Sequence, residues 1–192
     1  MYSQARIIDI FHKTGVIQEG HFVLSSGRHA DKYLQCAKVL QHPEYANELG
    51  ENIAGIWQNE DIDVVIGPAI GGIIVSYIAA QALGVRSVFT ERKEGKMKMR
   101  RSFELSPGDR VLIVEDVVTT GGSVREVIEL LEERDVNIVG ISPLVDRSGG
   151  QVSFPYTYKP VLQIFVNSYP ADECELCEQG VPITKPGSKK EI

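Results

Sequence analysis

Only three cysteines occur in this chain of 192 residues, Cys36, Cys174 and Cys177. So sparse and odd a count excludes a disulfide framework. No apolar run approaches the roughly 20 residues that a helix needs to cross a bilayer. Met1 to Arg6 begins no signal-peptide pattern, so a cytoplasmic location is expected. Positive charge is the scarcer sign: 20 Lys and Arg face 26 Asp and Glu, for a net charge of -6. That balance argues against nucleic-acid binding through bulk electrostatics, although local basic patches remain open. Cys174 and Cys177 form one CxxC within the acidic stretch Asp172–Glu178. A structural zinc site takes four ligands, and neither a second CxxC nor a nearby His pair completes the set. A redox CxxC belongs early in a thioredoxin-like chain rather than near the C-terminus. The pair is therefore assigned surface chemistry of no consequence. What remains is ordinary for a folded domain: 43% hydrophobic and 24% charged residues, in a length suited to one domain, residues 1–192, with a core of its own.

The most informative stretch runs from Val111 to Ser123. Val111-Leu112-Ile113-Val114 reads as a buried strand and ends in two adjacent carboxylates, Glu115 and Asp116. Val117 and Val118 lead into Thr119-Thr120-Gly121-Gly122-Ser123. From Val124 to Arg134 apolar residues then recur at helical spacing. Each part suits a phosphorylated sugar. Free N–H groups and the positive dipole end at a helix start bind phosphate. Glycines let the backbone approach closely, and Thr and Ser hydroxyls add donors. The carboxylates can accept hydrogen bonds from vicinal sugar hydroxyls. The stretch is neither a Walker A loop nor a G-x-G-x-x-G fingerprint.

Around it, elements alternate. Ser3 to Lys13 predicts an amphipathic helix closed by Gly15, and 16–39 predicts irregular strands around Ser25-Ser26-Gly27-Arg28. Pro43 opens a helix to about Asn59. Val64 to Ile66 is a short strand ending at Gly67-Pro68-Ala69-Ile70-Gly71-Gly72. Ile73 to Leu83 is a helix stopped by Gly84, and Val85 to Thr90 a strand. Met99 to Leu105 is expected to form one arm of a flexible excursion. Asn137 to Val145 and Pro160 to Val166 supply further strands, and Lys185 to Lys190 reads as a mobile tail. Such alternation implies parallel βαβ units, with ligands outside the carboxyl ends of the strands. Between two of these strands lies Glu91 to Arg101, with six basic residues in eleven. Beside a phosphate motif it suits a lid closing over diphosphate. Arg147, at a strand end, suits a planar, negatively charged or carbonyl-rich substrate.

Residues 111–123 closely resemble the phosphoribosyl pyrophosphate motif of the type I phosphoribosyltransferases. Over nearly its whole length the chain resembles the orotate branch of that family. This rests on Leu24-Ser25-Ser26-Gly27-Arg28, Gly67-Pro68-Ala69, Arg92-Lys93-Glu94-Gly95-Lys96 and Asp146-Arg147. The resemblance implies an α/β fold with a parallel-rich sheet flanked by helices, a small N-terminal hood (about 1–40) and a mobile lid (about 91–105). It implies transfer of 5-phosphoribosyl from phosphoribosyl pyrophosphate to orotate, giving orotidine monophosphate and diphosphate in pyrimidine synthesis. Mg²⁺ is the implied cofactor, held mainly by substrate, with Glu115 or Asp116 as the protein groups nearest to it. Arg92, Lys93, Lys96 and Lys98 would bind the diphosphate. Glu115, Asp116, Val117, Val118, Thr119, Thr120, Gly121, Gly122 and Ser123 would hold the ribose phosphate. Thr119 and Arg147 would meet orotate, and Lys93 and Asp116 are the catalytic candidates. A homodimer is implied, with each lid reaching the neighbouring site, and no nucleic-acid or membrane partner. Many bacterial relatives carry Lys at Ser25, an aromatic-Lys pair at Ile70-Gly71 and His at Lys98. A purine or xanthine phosphoribosyltransferase and a non-catalytic sensor of phosphoribosyl pyrophosphate are the alternatives. The hood and Arg147 weigh against the first, the acidic balance and lack of a helix-turn-helix domain against the second.

Overall fold

Short β-branched runs become the centre of the structure, a computed structural model that describes residues 2–24 and 26–185. Strands β3 (Val64–Pro68), β4 (Arg86–Lys93), β6 (Arg110–Val118), β7 (Asn137–Asp146) and β8 (Leu162–Gln163) lie parallel, and β5 (Lys96–Met99) folds back antiparallel on β4. Their order is β5-β4-β3-β6-β7-β8. The β-strand period of two decides which side chains face which layer. Val65, Leu112, Val114 and Leu144 pack with α1 (Gln4–Lys13), α3 (Pro43–Ile56) and α4 (Gly71–Leu83). Val64, Ile66, Val111, Ile113 and Ile141 face the other way, against α5 (Gly122–Glu132). Both faces of the sheet are therefore covered, as parallel strands require.

The local signals act as expected. Ser3 accepts a hydrogen bond from the Arg6 amide at the start of α1, Pro43 occupies the first turn of α3, and Gly84 ends α4 in the left-handed region at φ 72°. Two expectations shift. The returning arm of the excursion is Lys96–Met99 rather than Met99–Leu105, because the tight turn at Glu94 and Gly95 (φ 54° and 77°) sends the chain straight back along β4. The strand expected over 160–166 shrinks to Leu162–Gln163. Pro160 has no N–H to donate to a ladder, which leaves a short edge strand.

A second, smaller sheet sits apart from the first. β1 (Ile17–Val23) and β2 (His29–Leu34) form a hairpin. β9 (Ser168–Tyr169) and β10 (Ile183–Thr184) complete the order β10-β1-β2-β9. Segments from opposite ends of the sequence thus share one sheet. Between β9 and β10 lie a single 3-10 turn, Ala171–Glu173, and the one-turn helix α6 (Glu175–Glu178). Ser25 and the expected tail beyond Lys185 fall outside the described residues. Among the described residues no helix is long and apolar enough to cross a membrane.

From β3 the chain crosses through α4 to β4 on one side, while β6 lies on the other side of β3. The carboxyl ends of β3 and β6 therefore flank the point where strand order reverses, the place where open α/β sheets hold ligands.

Candidate active site

Two uncapped helix starts meet at that point. Gly121 stands at the N-cap of α5 and Ile70 at that of α4, and neither supplies a side-chain cap. Their first amides are left available to an anion, with the positive dipole ends behind them. Gly121 has φ 76°, and a Cβ there would lie 2.9 Å from Phe154 Cζ, so position 121 admits only glycine without rearrangement. The β3–α4 turn runs hard against the motif strand. A Cβ on Gly71 would lie 2.2 Å from Asp116 Oδ2, and one on Gly67 would lie 2.2 Å from the Gly72 carbonyl oxygen. A cavity of about 130 Å³ is lined by Glu115 and by Val117 through Val124. Its backbone walls and its Thr119, Thr120 and Ser123 hydroxyls suit a phosphate.

The two carboxyl groups differ in setting. Glu115 is buried, with Oε1 accepting from the Asp116 amide at 3.1 Å; Asp116 is half-buried, with Oδ1 accepting from the Val117 amide at 2.8 Å. Burial, and then the neighbouring Asp116 charge, push the Glu115 pKa up to about 9. Before substrate arrives Glu115 therefore carries a proton at neutral pH and can donate to a sugar oxygen as well as accept.

Arg147 and Thr119 are brought together: Arg147 Nη2 donates to Thr119 Oγ1 at 3.2 Å, and the Arg147 amide donates to the Val118 carbonyl at 2.8 Å. Asp146 does not hold Arg147. It is buried, accepts from the Ser148 amide at 2.7 Å and faces Gln163 Nε2 at 3.5 Å. The guanidinium thus stands beside the cavity at the start of α5.

The basic segment is the β4–β5 hairpin, and β4 runs past the end of β3, whose last partner is Thr90. Most of its cations are already paired. Arg92 Nη2 meets Glu126 Oε1 of α5 at 2.6 Å, Lys98 meets Glu94 at 3.6 Å, and Arg100 and Arg101 both meet Glu91. Among the described residues Lys93 and Lys96 form no ion pair, and both are exposed at the hairpin tip. A groove of about 640 Å³ runs between β5 and α5, lined by Lys96 and Lys98 on one side and Glu126, Glu129 and Glu133 on the other. It holds none of the motif residues. It is the space beneath the hairpin rather than the phosphate cradle.

One sequence expectation fails outright. Cys174 is buried rather than on the surface, and the His pair missing from its neighbourhood in sequence is present in space. His21, His29, Cys174 and Cys177 bring their ligand atoms within 4.8 Å of one another. The sequence offers a CxxC and four distant histidines, with no local sign of which ones meet it.

With this geometry in place, similarity to known proteins completes the picture. The family profile described as the phosphoribosyl transferase domain matches residues 35–173. The chain is 52% identical over 188 residues to the orotate phosphoribosyltransferase of Desulforamulus reducens, covering 98% of each chain. It is 50% identical over 184 residues to that of a Thermoanaerobacter species, covering 96% of this chain and 97% of the relative. Among solved structures, orotate phosphoribosyltransferase from Aeropyrum pernix aligns with TM-score 0.72 at 24% identity, over 82% of this chain and 93% of that one. The Mycobacterium tuberculosis orotate phosphoribosyltransferase in complex with phosphoribosyl pyrophosphate aligns with TM-score 0.64 at 22% identity, over 83% and 94%. The chain belongs to the phosphoribosyltransferase family, and its parallel sheet flanked by helices is the type I phosphoribosyltransferase fold.

Proposed function

We propose that this chain transfers the 5-phosphoribosyl group of phosphoribosyl pyrophosphate to orotate, giving orotidine monophosphate and diphosphate, a step of pyrimidine synthesis. The observation that carries the orotate assignment is identity near half, over nearly the full length of relatives bearing that name. The geometry supports each role.

The ribose 5-phosphate sits on the amides and hydroxyls of Thr119 to Ser123 at the start of α5. Glu115 and Asp116 hold the ribose hydroxyls. As diphosphate leaves, the anomeric carbon gains positive character, and Asp116 stabilises it from the strand end. Arg92, Lys93, Lys96 and Lys98 neutralise the departing diphosphate when the hairpin closes. Arg147 and Thr119 orient orotate, whose reacting nitrogen arrives deprotonated, so positioning carries much of the catalysis. The donor set fits Mg²⁺ arriving with its substrate: among the described residues Glu115 is the one acidic residue lining this cavity and would give up its proton on taking the metal, Asp116 adjoins it, and Mg²⁺ takes few protein ligands beside phosphate oxygens. When bound, it supplies charge neutralisation at the diphosphate.

The reading includes a cytoplasmic homodimer whose lid acts in the partner's site. The dimeric part of it is supported by an apolar stripe running from the N-cap of α4 along the helix, where Ile70, Ile74 and Tyr77 are 85%, 43% and 64% exposed at i, i+4 and i+7. Such a stripe suits a twofold contact.

The test supplies phosphoribosyl pyrophosphate and Mg²⁺ with orotate, adenine, hypoxanthine or xanthine separately, and follows base consumption and diphosphate release. Orotate alone should be consumed, mole for mole with diphosphate. Transfer to a purine instead, or to no base, would overturn the assignment.

A further inference from the structure

The catalytic reading leaves one buried cluster of chemically reactive side chains unused. His21 lies on β1 and His29 on β2, one on each side of the hairpin turn. Val23 pairs with His29, and His21 shares a strand face with Val23, so the two imidazoles project from the same side of the hairpin. The CxxC between β9 and β10 covers that side. β9 adds to β2 beside His29, and β10 adds to β1 beside His21. His21, His29 and Cys174 are buried; Cys177 is at the surface.

The contacts do not make sense as ordinary hydrogen bonds. His21 Nδ1 lies 2.8 Å from the Val181 carbonyl, which only accepts, so Nδ1 bears the proton and Nε2 presents a lone pair. Three groups converge on that one lone pair: His29 Nδ1 at 2.9 Å, Cys174 Sγ at 3.5 Å and Cys177 Sγ at 3.7 Å. Cys177 Sγ also lies 3.2 Å from His29 Nδ1. One lone pair serves one donor. A cation at the centre of the four would serve every one of them.

We propose that His21, His29, Cys174 and Cys177 form a closed structural site for a divalent metal ion of zinc type. Two sulfurs and two imidazole nitrogens are the donor set of tetrahedral zinc, and hard, oxygen-seeking Mg²⁺ or Ca²⁺ is a poor match. Bonds of about 2.3 Å to sulfur and about 2.0–2.1 Å to nitrogen give tetrahedral edges of about 3.3–3.8 Å. Of the observed separations, 3.5 and 3.7 Å fall within that range and 2.9 and 3.2 Å fall just below it. The Val181 carbonyl supplies the second contact that fixes the tautomer and orientation of a metal-bound histidine. Four protein ligands leave no open position, so the role is structural. On binding, two thiol protons leave, and the metal with two thiolates and two neutral imidazoles is uncharged overall, which suits a largely buried place.

The position explains what such a metal would do. β9 and β10 each pair with the hairpin through only two residues, too little to hold the C-terminal segment by themselves. A metal joins residues 21 and 29 to residues 174 and 177. It thereby clamps the turn end of the hairpin, which carries Arg28, and Arg28 Nε in turn donates to Ser168 Oγ at 2.9 Å.

The test is independent of catalysis. The full-length chain is purified without a polyhistidine tag and its metal content measured, then cobalt(II) is substituted for the native ion. Wild type should carry about one zinc per chain. Its cobalt form should show intense visible bands of tetrahedral geometry with a near-ultraviolet sulfur-to-cobalt charge-transfer band. Cys177→Ser, at an exposed position, should fold and lose the bound zinc. A strong chelator should lower the Tm of wild type by several degrees, reversibly with zinc, and leave Cys177→Ser unmoved. The proposal fails if wild type holds no zinc and gives only weak octahedral cobalt bands. It fails equally if Cys177→Ser keeps the wild-type zinc content, or if mass spectrometry finds Cys174 and Cys177 joined as a disulfide two hydrogens lighter.

Discussion

At the scale of single residues, the acidic pair divides its work through burial. Glu115 has its pKa raised from 4.5 to about 9 by burial and by Asp116. The folded protein thus keeps a proton that the unfolded chain releases at lower pH. The resulting stability is complete below the unfolded carboxyl pKa and is lost as pH rises through about 9. One proton sets a limiting slope of about 1.4 kcal/mol per pH unit. Glu115→Gln keeps the shape and removes the titration. In ligand-free protein its denaturation midpoint should fall less than that of wild type between pH 5 and pH 9; parallel profiles would mean that Glu115 is ionised in the fold. Arg147, held at Thr119 rather than at Asp146, makes a different prediction. Arg147→Ala should weaken orotate binding roughly ten- to hundredfold, the loss of one charge-assisted contact of about 1.5–3 kcal/mol. Binding of phosphoribosyl pyrophosphate should change little. Equal losses for both ligands in calorimetry would make Arg147 structural.

At the scale of elements, the lid hairpin and α5 are coupled before any substrate binds. Arg92 is held by Glu126, four residues beyond the start of α5, in a half-exposed ion pair. In the proposed role at the diphosphate, Arg92 would have to exchange that carboxylate for the leaving group. A partly exposed pair is worth about 0.2–1 kcal/mol, which corresponds to about 1.4- to 5-fold in an equilibrium. Glu126→Gln should therefore lower the Kd for phosphoribosyl pyrophosphate by about that factor, and the gain should shrink as salt rises. Titration calorimetry at two ionic strengths reads both effects. A weaker affinity would show that Glu126 positions Arg92 for the substrate rather than holding it away.

At the scale of the whole molecule, a subunit-mixing experiment tests whether the proposed dimer shares its sites. Lys93 stands exposed at the hairpin tip without an ion-pair partner among the described residues, as a group acting on another surface would. Lys93→Ala and Asp116→Asn should each be inactive or slow, by on the order of 10²–10³-fold for the lost electrostatic contact at Asp116. Mixed under conditions that exchange subunits, they should regain activity. A trans lid leaves one site in each mixed dimer intact and puts both defects in the other. A cis lid leaves one defect in every site. Exchange is followed independently, by mass or fluorescence, and absence of recovery once it is complete would exclude a trans lid.

The periodicity of the chain was sufficient for the sheet core, for α1, α3, α4 and α5, and for the order strand, acidic pair, glycine turn, helix. These are local patterns, in which neighbouring residues decide burial and dipole direction for one another. The glycine turn at Gly121, where α5 starts, was legible for the same reason. What lay beyond sequence were meetings between distant residues. Gly71 presses on Asp116, Arg92 pairs with Glu126, and Glu115 is buried. The His21, His29, Cys174 and Cys177 cluster is the extreme case, because its halves lie near opposite ends of the chain. A CxxC near the C-terminus says nothing about which imidazoles the small sheet will carry to it. Only the pairing of β10 with β1 and of β9 with β2 closes that distance, and tertiary packing, not local propensity, decides that pairing.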